Sequence, residues 1–257
     1  MNTRVQSIHA APSGAELRRR AHALVPVLRE RAADCERGAS VPRETIAAFQ
    51  DAGFFRILQP ALYGGYEMWP TEFYEVVAIL ARGCPSSAWV LSILGIHNWE
   101  AGLIDPAVAE ALWREDPDVR FAAEQDDGSF NRVACMVPRD GYEIDERSWQ
   151  SAGLSGTGSK DIVVRDAFVP ARHVHNIQRS IEMNEPGTRT FTADTYKLSF
   201  GVCFAYALAS VALGVGEAAL ADYLPYMRKR AVAYDGSRFQ DDPVVQRTLA
   251  EAHSMLD

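Results

Sequence analysis

Apolar residues recur at Leu17, Ala21, Leu24, Leu28 and Ala32, the single stripe of an amphipathic helix over residues 15–37. A second helix is expected from Pro42, acceptable in a first turn, to Gly53. Residues 54–66 carry a proline and a glycine pair and read as a loop. Thr71 is then placed as the cap of a third helix, with Phe73, Val76, Val77 and Leu80 on its inner face. A fourth helix follows over 86–103 and a fifth over 105–113, opening on Asp105 and Pro106. At Pro117 the pattern changes, and short β-branched runs at 132–137, 142–145 and 162–169 read as strands. After a polar loop, a long helix is expected over 200–230. Its Gly201, Gly214 and Gly216 would admit a close neighbour, and Pro225 would kink or interrupt it. A last helix runs over 243–257. Runs of helices and strands that do not alternate argue against a doubly wound sheet. The expected fold is mainly α with a small β domain, divided into a helical unit 1–116, a β unit 117–172 and a second helical unit 173–257.

Composition adds compartment and partners. The 257 residues carry a net charge of −8, which argues against nucleic acid or an anionic membrane surface as the partner. Cys35, Cys84, Cys135 and Cys203 are scattered with no C-x-x-C pair, the spacing of reduced thiols in a cytoplasmic protein. The first 20 residues lack the apolar core of a secretory signal. Residues 200–224 are long and apolar enough to suggest a membrane span, but Glu217, Asp222 and the many alanines favour a buried helix.

Three segments are candidates for chemistry. Gly153-Leu154-Ser155-Gly156-Thr157-Gly158-Ser159 resembles a nucleotide loop, yet a phosphate-binding loop must open a helix, and here Asp161-Ile162-Val163-Val164 reads as a strand. A tight turn entering a strand is the simpler reading. His173 and His175 alternate as two metal ligands could, but no third ligand stands at a recognisable spacing, and a surface loop is expected. No metal site is expected. His97 lies in an otherwise apolar helix with Trp89 eight positions earlier, close to the same side, and with Ser86 and Ser92 in the same helix. An imidazole beside an indole could orient a planar substrate and take a phenolic proton. A hydrogen-bonded core histidine is the plainer reading from the residues alone.

Several segments taken in order resemble the acyl-CoA dehydrogenase superfamily, and within it the oxygenase components of two-component flavin-dependent monooxygenases. They are Val41-Pro42-Arg43-Glu44 through Asp51-Ala52-Gly53-Phe54-Phe55, Gln59-Pro60 with Tyr63-Gly64-Gly65, and Ser86-Ser87-Ala88-Trp89 through His97-Asn98-Trp99. The Gly153–Ser159 run through Asp166-Ala167-Phe168-Val169-Pro170 completes the set. The resemblance implies a helical domain, a central β domain and a partial C-terminal helix bundle in a homo-oligomer, usually a tetramer. It implies reduced flavin (FMNH2 or FADH2) from a separate flavin reductase, O2, and an aromatic small-molecule substrate, usually a phenol. It makes His97 the catalytic substrate-side histidine, places Trp89 and Ser92 against the substrate, and assigns flavin contacts to Thr157, Ser159 and Arg230.

The chain also departs from that pattern. Ala122-Ala123 stand where the family has flavin-contacting serines, and Ser155 stands where an arginine is common. A stretch of strands is expected to be missing at the Gln125/Asp126 junction, and the family's second active-site histidine would lie beyond Asp257. Two alternatives follow, an acyl-CoA dehydrogenase using FAD and a truncated, non-catalytic paralogue.

Overall fold

A computed structural model describes residues 11–114, 133–231 and 236–256. The expected gap at Gln125/Asp126 and the Ala122-Ala123 pair lie outside the described residues. The first half is helical: α1 (Gly14–Arg37), α2 (Arg43–Asp51), α3 (Pro70–Ala81), α4 (Pro85–Glu100) and α5 (Pro106–Trp113). Among the described residues four short strands follow, β1 (Val133–Cys135), β2 (Tyr142–Asp145), β3 (Asp161–Val164) and β4 (Val174–Asn176). The chain closes with α6 (Ile177–Ile181), α7 (Phe200–Lys229) and α8 (Pro243–Ser254).

Helix starts follow local chemistry. Ser13 accepts a hydrogen bond from the Glu16 amide at 3.2 Å, and Asp105 and Asp242 cap α5 and α8 in the same way. Thr71, expected as a cap, lies inside α3 instead. Pro70 takes the first helical position, where its missing N–H costs nothing, and Trp69 precedes it. Pro225 does not interrupt α7, which runs unbroken through it.

The core forms where α3 is packed by α1, α4 and α7. Phe49, Phe54, Phe73, Leu80 and Trp99 are fully buried there, and Phe191, Tyr196, Cys203 and Val211 from the second half join them. Two long-range bonds pin that second half: Trp99 Nε1–H donates to the Thr195 carbonyl at 2.8 Å, and the Tyr196 hydroxyl donates to the Leu58 carbonyl at 2.9 Å. Two helix crossings depend on a missing side chain. A Cβ on Gly95 would sit 2.4 Å from the Phe73 ring, and one on Gly214 would sit 2.0 Å from the Ala78 carbonyl oxygen. Gly214 thus does what the sequence suggests, whereas Gly201 faces open space and Gly216 meets only the Leu256 side chain.

The long helix is not buried as expected. Only Cys203, Ala207, Ser210, Val211, Gly214 and Met227 of α7 are buried, while Val202, Tyr206, Tyr223 and Tyr226 are exposed. By length and composition alone α7 could cross a membrane, and 28% of its apolar window is covered within the chain.

The strands form two antiparallel pairs. In one, β1 pairs with β4, with Ala134 opposite His175; in the other, β2 pairs with β3, with Glu143 opposite Val163. The third strand stops at Val164 rather than 169, because Asp166 takes a left-handed φ of 48°, which breaks the ladder. The strand β4 and helix α6 fall where a loop was expected.

Candidate active site

The last turn of α4 carries His97 and, three residues on, Glu100, which places both on one helix face. His97 Nδ1–H donates to Glu100 Oε2 at 2.5 Å, and His175 Nδ1–H, arriving from β4, donates to Glu100 Oε1. The other nitrogen of His175 lies 2.8 Å from Ser180 Oγ and 3.0 Å from Glu185 Oε1, and the Ser180 hydroxyl donates to the same Glu185 oxygen. Each of these five residues is at most 3% exposed. The imidazoles meet aromatic rings of α7 edge-on, His97 against Phe204 at 5.5 Å and His175 against Phe200 at 5.0 Å.

These contacts fix protonation. Burial alone would raise the Glu100 carboxyl, but the hydrogen bonds from His175 and His97 outweigh it and lower its pKa to about 2. Burial would lower the His175 imidazole, and the hydrogen bonds to Glu100 and Glu185 reverse that and raise its pKa to about 9. An ionised Glu100 only accepts, so both Nδ1 atoms facing it carry protons. The Ser180 proton is committed to Glu185, so His175 Nε2 donates as well and the ring is an imidazolium between two carboxylates. That arrangement satisfies the demand that buried charges be paired.

His175 is therefore not part of a surface loop, as its sequence context suggested. Its cross-strand partner Ala134 and its contact with Glu100, 75 residues away in sequence, draw it inside. Sequence reasoning missed Glu100, Ser180 and Glu185 altogether. The i, i+3 spacing of His97 and Glu100 is the one local signal that could have found the first of them.

The glycine loop lies at the opposite end of α4. Leu154 and Gly158 take left-handed φ values of 54° and 61° around a short helical turn, which then leads into β3, as a tight turn should. The Glu36 carboxylate accepts from the Ser155 amide at 2.8 Å, from the Gly156 amide at 3.3 Å, and from the Ser86 hydroxyl at the start of α4. Gly156 is pressed against Cys35, whose Sγ would lie 2.4 Å from any added Cβ. Thr157 donates to the Leu154 carbonyl, and its hydroxyl lies 3.0 Å from that of Ser159. Thr157 is half-buried and Ser159 exposed, so a bound molecule could reach both hydroxyls.

The remaining expected site residues are more dispersed. Trp89 is half-buried against the core, about 12 Å of helix rise before His97. Ser92 is buried and donates to the Trp89 carbonyl at 2.8 Å. Arg230, at the end of α7, is exposed, with its guanidinium over Tyr226 and Phe239 and bonded to the Tyr226 hydroxyl. A cavity of about 460 Å³ between α7 and α8 is lined by Arg82, Glu217, Leu224, Leu249 and His253. A smaller one of about 250 Å³ is lined by Asp105, Arg172, Asn176, Arg179 and Glu185, so it reaches the outer end of the buried His–Glu chain. Among the described residues no cluster of three or more His, Cys, Asp and Glu side chains could hold a metal ion.

Comparison with known proteins gives this arrangement its context. Residues 15–103 match the family model described as acyl-CoA dehydrogenase, N-terminal domain, and residues 206–257 match the acyl-CoA dehydrogenase C-terminal domain. The flavin-dependent monooxygenase oxygenase subunit HsaA of Rhodococcus jostii (strain RHA1) is 32% identical over 278 residues, covering 93% of this chain and 72% of the relative. That alignment is longer than the 257-residue chain, so it runs through positions for which this chain has no residue. The oxygenase component of the FADH(2)-dependent resorcinol hydroxylase of Rhizobium sp. (strain MTP-10005) is 26% identical, covering 90% of this chain and 67% of its own. The crystal structure of the HsaA monooxygenase from M. tuberculosis superposes with a TM-score of 0.84 at 28% identity, covering 96% of this chain and 73% of that one.

Proposed function

Because the chain belongs to the oxygenase subunits of flavin-dependent monooxygenases, built on the acyl-CoA dehydrogenase fold, we propose that it hydroxylates a phenolic small molecule with His97 as the group that receives the phenolic proton. The observation that carries this reading is the buried hydrogen bond from His97 Nδ1–H to the ionised Glu100. With Nδ1 engaged by Glu100, the other ring nitrogen, Nε2, is the one to which we assign the phenolic proton. Two relatives support the substrate class by name, one acting on resorcinol and another, in Acinetobacter baumannii, on p-hydroxyphenylacetate.

The residues present fit a flavin at the glycine loop. Two accessible hydroxyls, Thr157 and Ser159, stand side by side on a turn that Glu36 braces against the helical domain, a rigid polar edge for a heterocycle. We assign flavin contacts to them. Arg230 is the third expected contact, its guanidinium presented at the surface by Tyr226 and Phe239. When bound, reduced flavin supplies two electrons, so that one atom of O2 enters the ring and the other leaves as water. A separate reductase is the source of FMNH2 or FADH2. Around the substrate, Trp89 and Ser92 would form the wall, and the apolar packing of α4 against α7 would exclude water. The exposed aromatic and aliphatic side chains of α7 support a homo-oligomer, a tetramer in our reading, with that face covered. The free thiols support a reducing, cytoplasmic setting.

The purified chain should convert a phenol from a panel that includes resorcinol and p-hydroxyphenylacetate into its ring-hydroxylated product. It should do so only with O2 and enzymatically reduced flavin. His97→Ala should lower product formation by about 100-fold while O2 uptake continues as hydrogen peroxide release. Flavin bleaching by acyl-CoA thioesters without any hydroxylated product would overturn the reading in favour of a dehydrogenase.

A further inference from the structure

Behind His97, the proposed proton acceptor, runs the buried polar chain His97–Glu100–His175–Glu185, with Ser180 at its end. Four ionisable side chains in succession, each at most 3% exposed, are costly unless their arrangement is fully satisfied. Here the contacts pair donors with acceptors along its length. Glu100 receives a proton-bearing nitrogen on each oxygen, and His175 donates on both sides. Glu185 takes the far side of His175 together with the Ser180 hydroxyl.

We infer that Glu100 and His175 are positioning residues for the proposed hydroxylation: His175 locks the Glu100 carboxylate, which in turn fixes His97 in the tautomer protonated on Nδ1. The inference rests on the reading of His97 given above, but its geometry is independent of any ligand. A carboxylate that faced His97 alone could rotate or protonate. Clamped by a second, positively charged imidazole, it stays ionised and aimed. Glu185 and Ser180 act one step further out by holding the His175 ring. Glu100 on α4 and Glu185 on the segment after α6 face these imidazoles, and α7 brings Phe200 and Phe204 against the two rings.

The direct test is nitrogen-15 NMR of the histidine side chains in the full chain without substrate. Near neutral pH His97 should show the Nδ1–H tautomer and His175 the doubly protonated ring. In Glu100→Gln the His97 signal should shift to a tautomer mixture. A His97 ring protonated on Nε2 alone, or a His175 ring neutral at pH 7, would overturn the inference in the wild-type protein, so a variant that fails to fold does not shield it. A second arm uses activity. Glu100→Gln and His175→Asn should lower kcat at least about tenfold with little change in KM. Glu100→Asp should recover part of the loss. Unchanged kcat in both variants, with His97→Ala still impaired, would remove the two residues from the mechanism. A wild-type chain that hydroxylates no phenol, yet shows the NMR pattern described, would instead refute the functional reading and leave the brace standing.

Discussion

Glu36 accepts a hydrogen bond from the Ser155 amide at 2.8 Å across 119 residues of chain, and so fastens the central glycine loop to the end of the first helix. The Gly156 amide and the Ser86 hydroxyl share the same carboxylate, so one side chain joins α1, α4 and the loop. Glu36→Ala would strand two amides and a hydroxyl at a half-buried site. Its expected cost is about 2 kcal/mol of stability, with weaker flavin binding through a loosened Thr157–Ser159 edge. Glu36→Gln, which keeps one acceptor oxygen, should lose less. Urea denaturation and flavin fluorescence titration measure the two effects. If Glu36→Ala binds flavin as tightly as the wild type, the brace does not position the loop.

The hydroxyl of Tyr196 ties the second half of the chain to the first through the Leu58 carbonyl, and its ring is fully buried against Gly102. Tyr196→Phe removes the oxygen while leaving the packing intact. The buried Leu58 carbonyl then lacks that donor, at an expected cost of about 1–2 kcal/mol. A midpoint shift in urea at unchanged slope is the signature of this loss. No shift would mean that another donor replaces the hydroxyl.

How much of this was legible in the sequence depends on the range of the interaction that decides it. The stripe from Leu17 to Ala32 and the Asp105 cap are local, and both helices stand where the sequence places them. The cap expected at Thr71 falls two residues earlier, at Trp69, because a cap threonine and a first-turn proline compete, and Pro70 prevails. α7 is apolar around most of its circumference, which in one dimension looks the same as burial, although the chain covers only one of its faces. His175 illustrates the limit most clearly. Three residues of strand carry no usable period, and its burial follows from pairing with β1 and from Glu100, both remote in sequence. His97 stood out in the sequence, whereas the three acidic and hydroxyl partners that complete its network did not.

The same network sets a pH dependence. The His175 pKa is raised from its ordinary 6.5 to about 9, so its contribution is complete below pH 6.5 and is lost as pH rises through 9. The Glu100 pKa is lowered from 4.5 to about 2, so its contribution is complete above pH 4.5 and is lost as pH falls through 2. Together they give full stabilisation between about pH 4.5 and 6.5. The buried thiols Cys35 and Cys84 also respond on the alkaline side, because their shared hydrogen bond raises the first and lowers the second. The comparison that isolates the histidine is therefore wild type against His175→Asn. Their difference in Tm should be largest near pH 6 and shrink steadily towards pH 9. A difference that stays constant over that range would show that His175 is not charged in the folded state.

The α3–α7 crossing offers the sharpest test of packing. Gly214 lies so close to α3 that an added Cβ would stand 2.0 Å from the Ala78 carbonyl oxygen and 2.8 Å from the Ala81 Cβ. Neither neighbour is a flexible side-chain tip, so the clash can be relieved only by moving one helix backbone away from the other. The helix propensity gained by replacing glycine with alanine is about 1 kcal/mol and favours the variant. Overpacking costs about 1–3 kcal/mol or more and opposes it, and with backbone in the way the upper end applies. Gly214→Ala should therefore be destabilised by about 2 kcal/mol net, whereas Gly201→Ala on the same helix, facing open space, should be neutral or slightly stabilised. Thermal denaturation of the two variants side by side separates propensity from contact. If both gain stability, the two helices do not approach as closely as the Ala78–Gly214 contact requires.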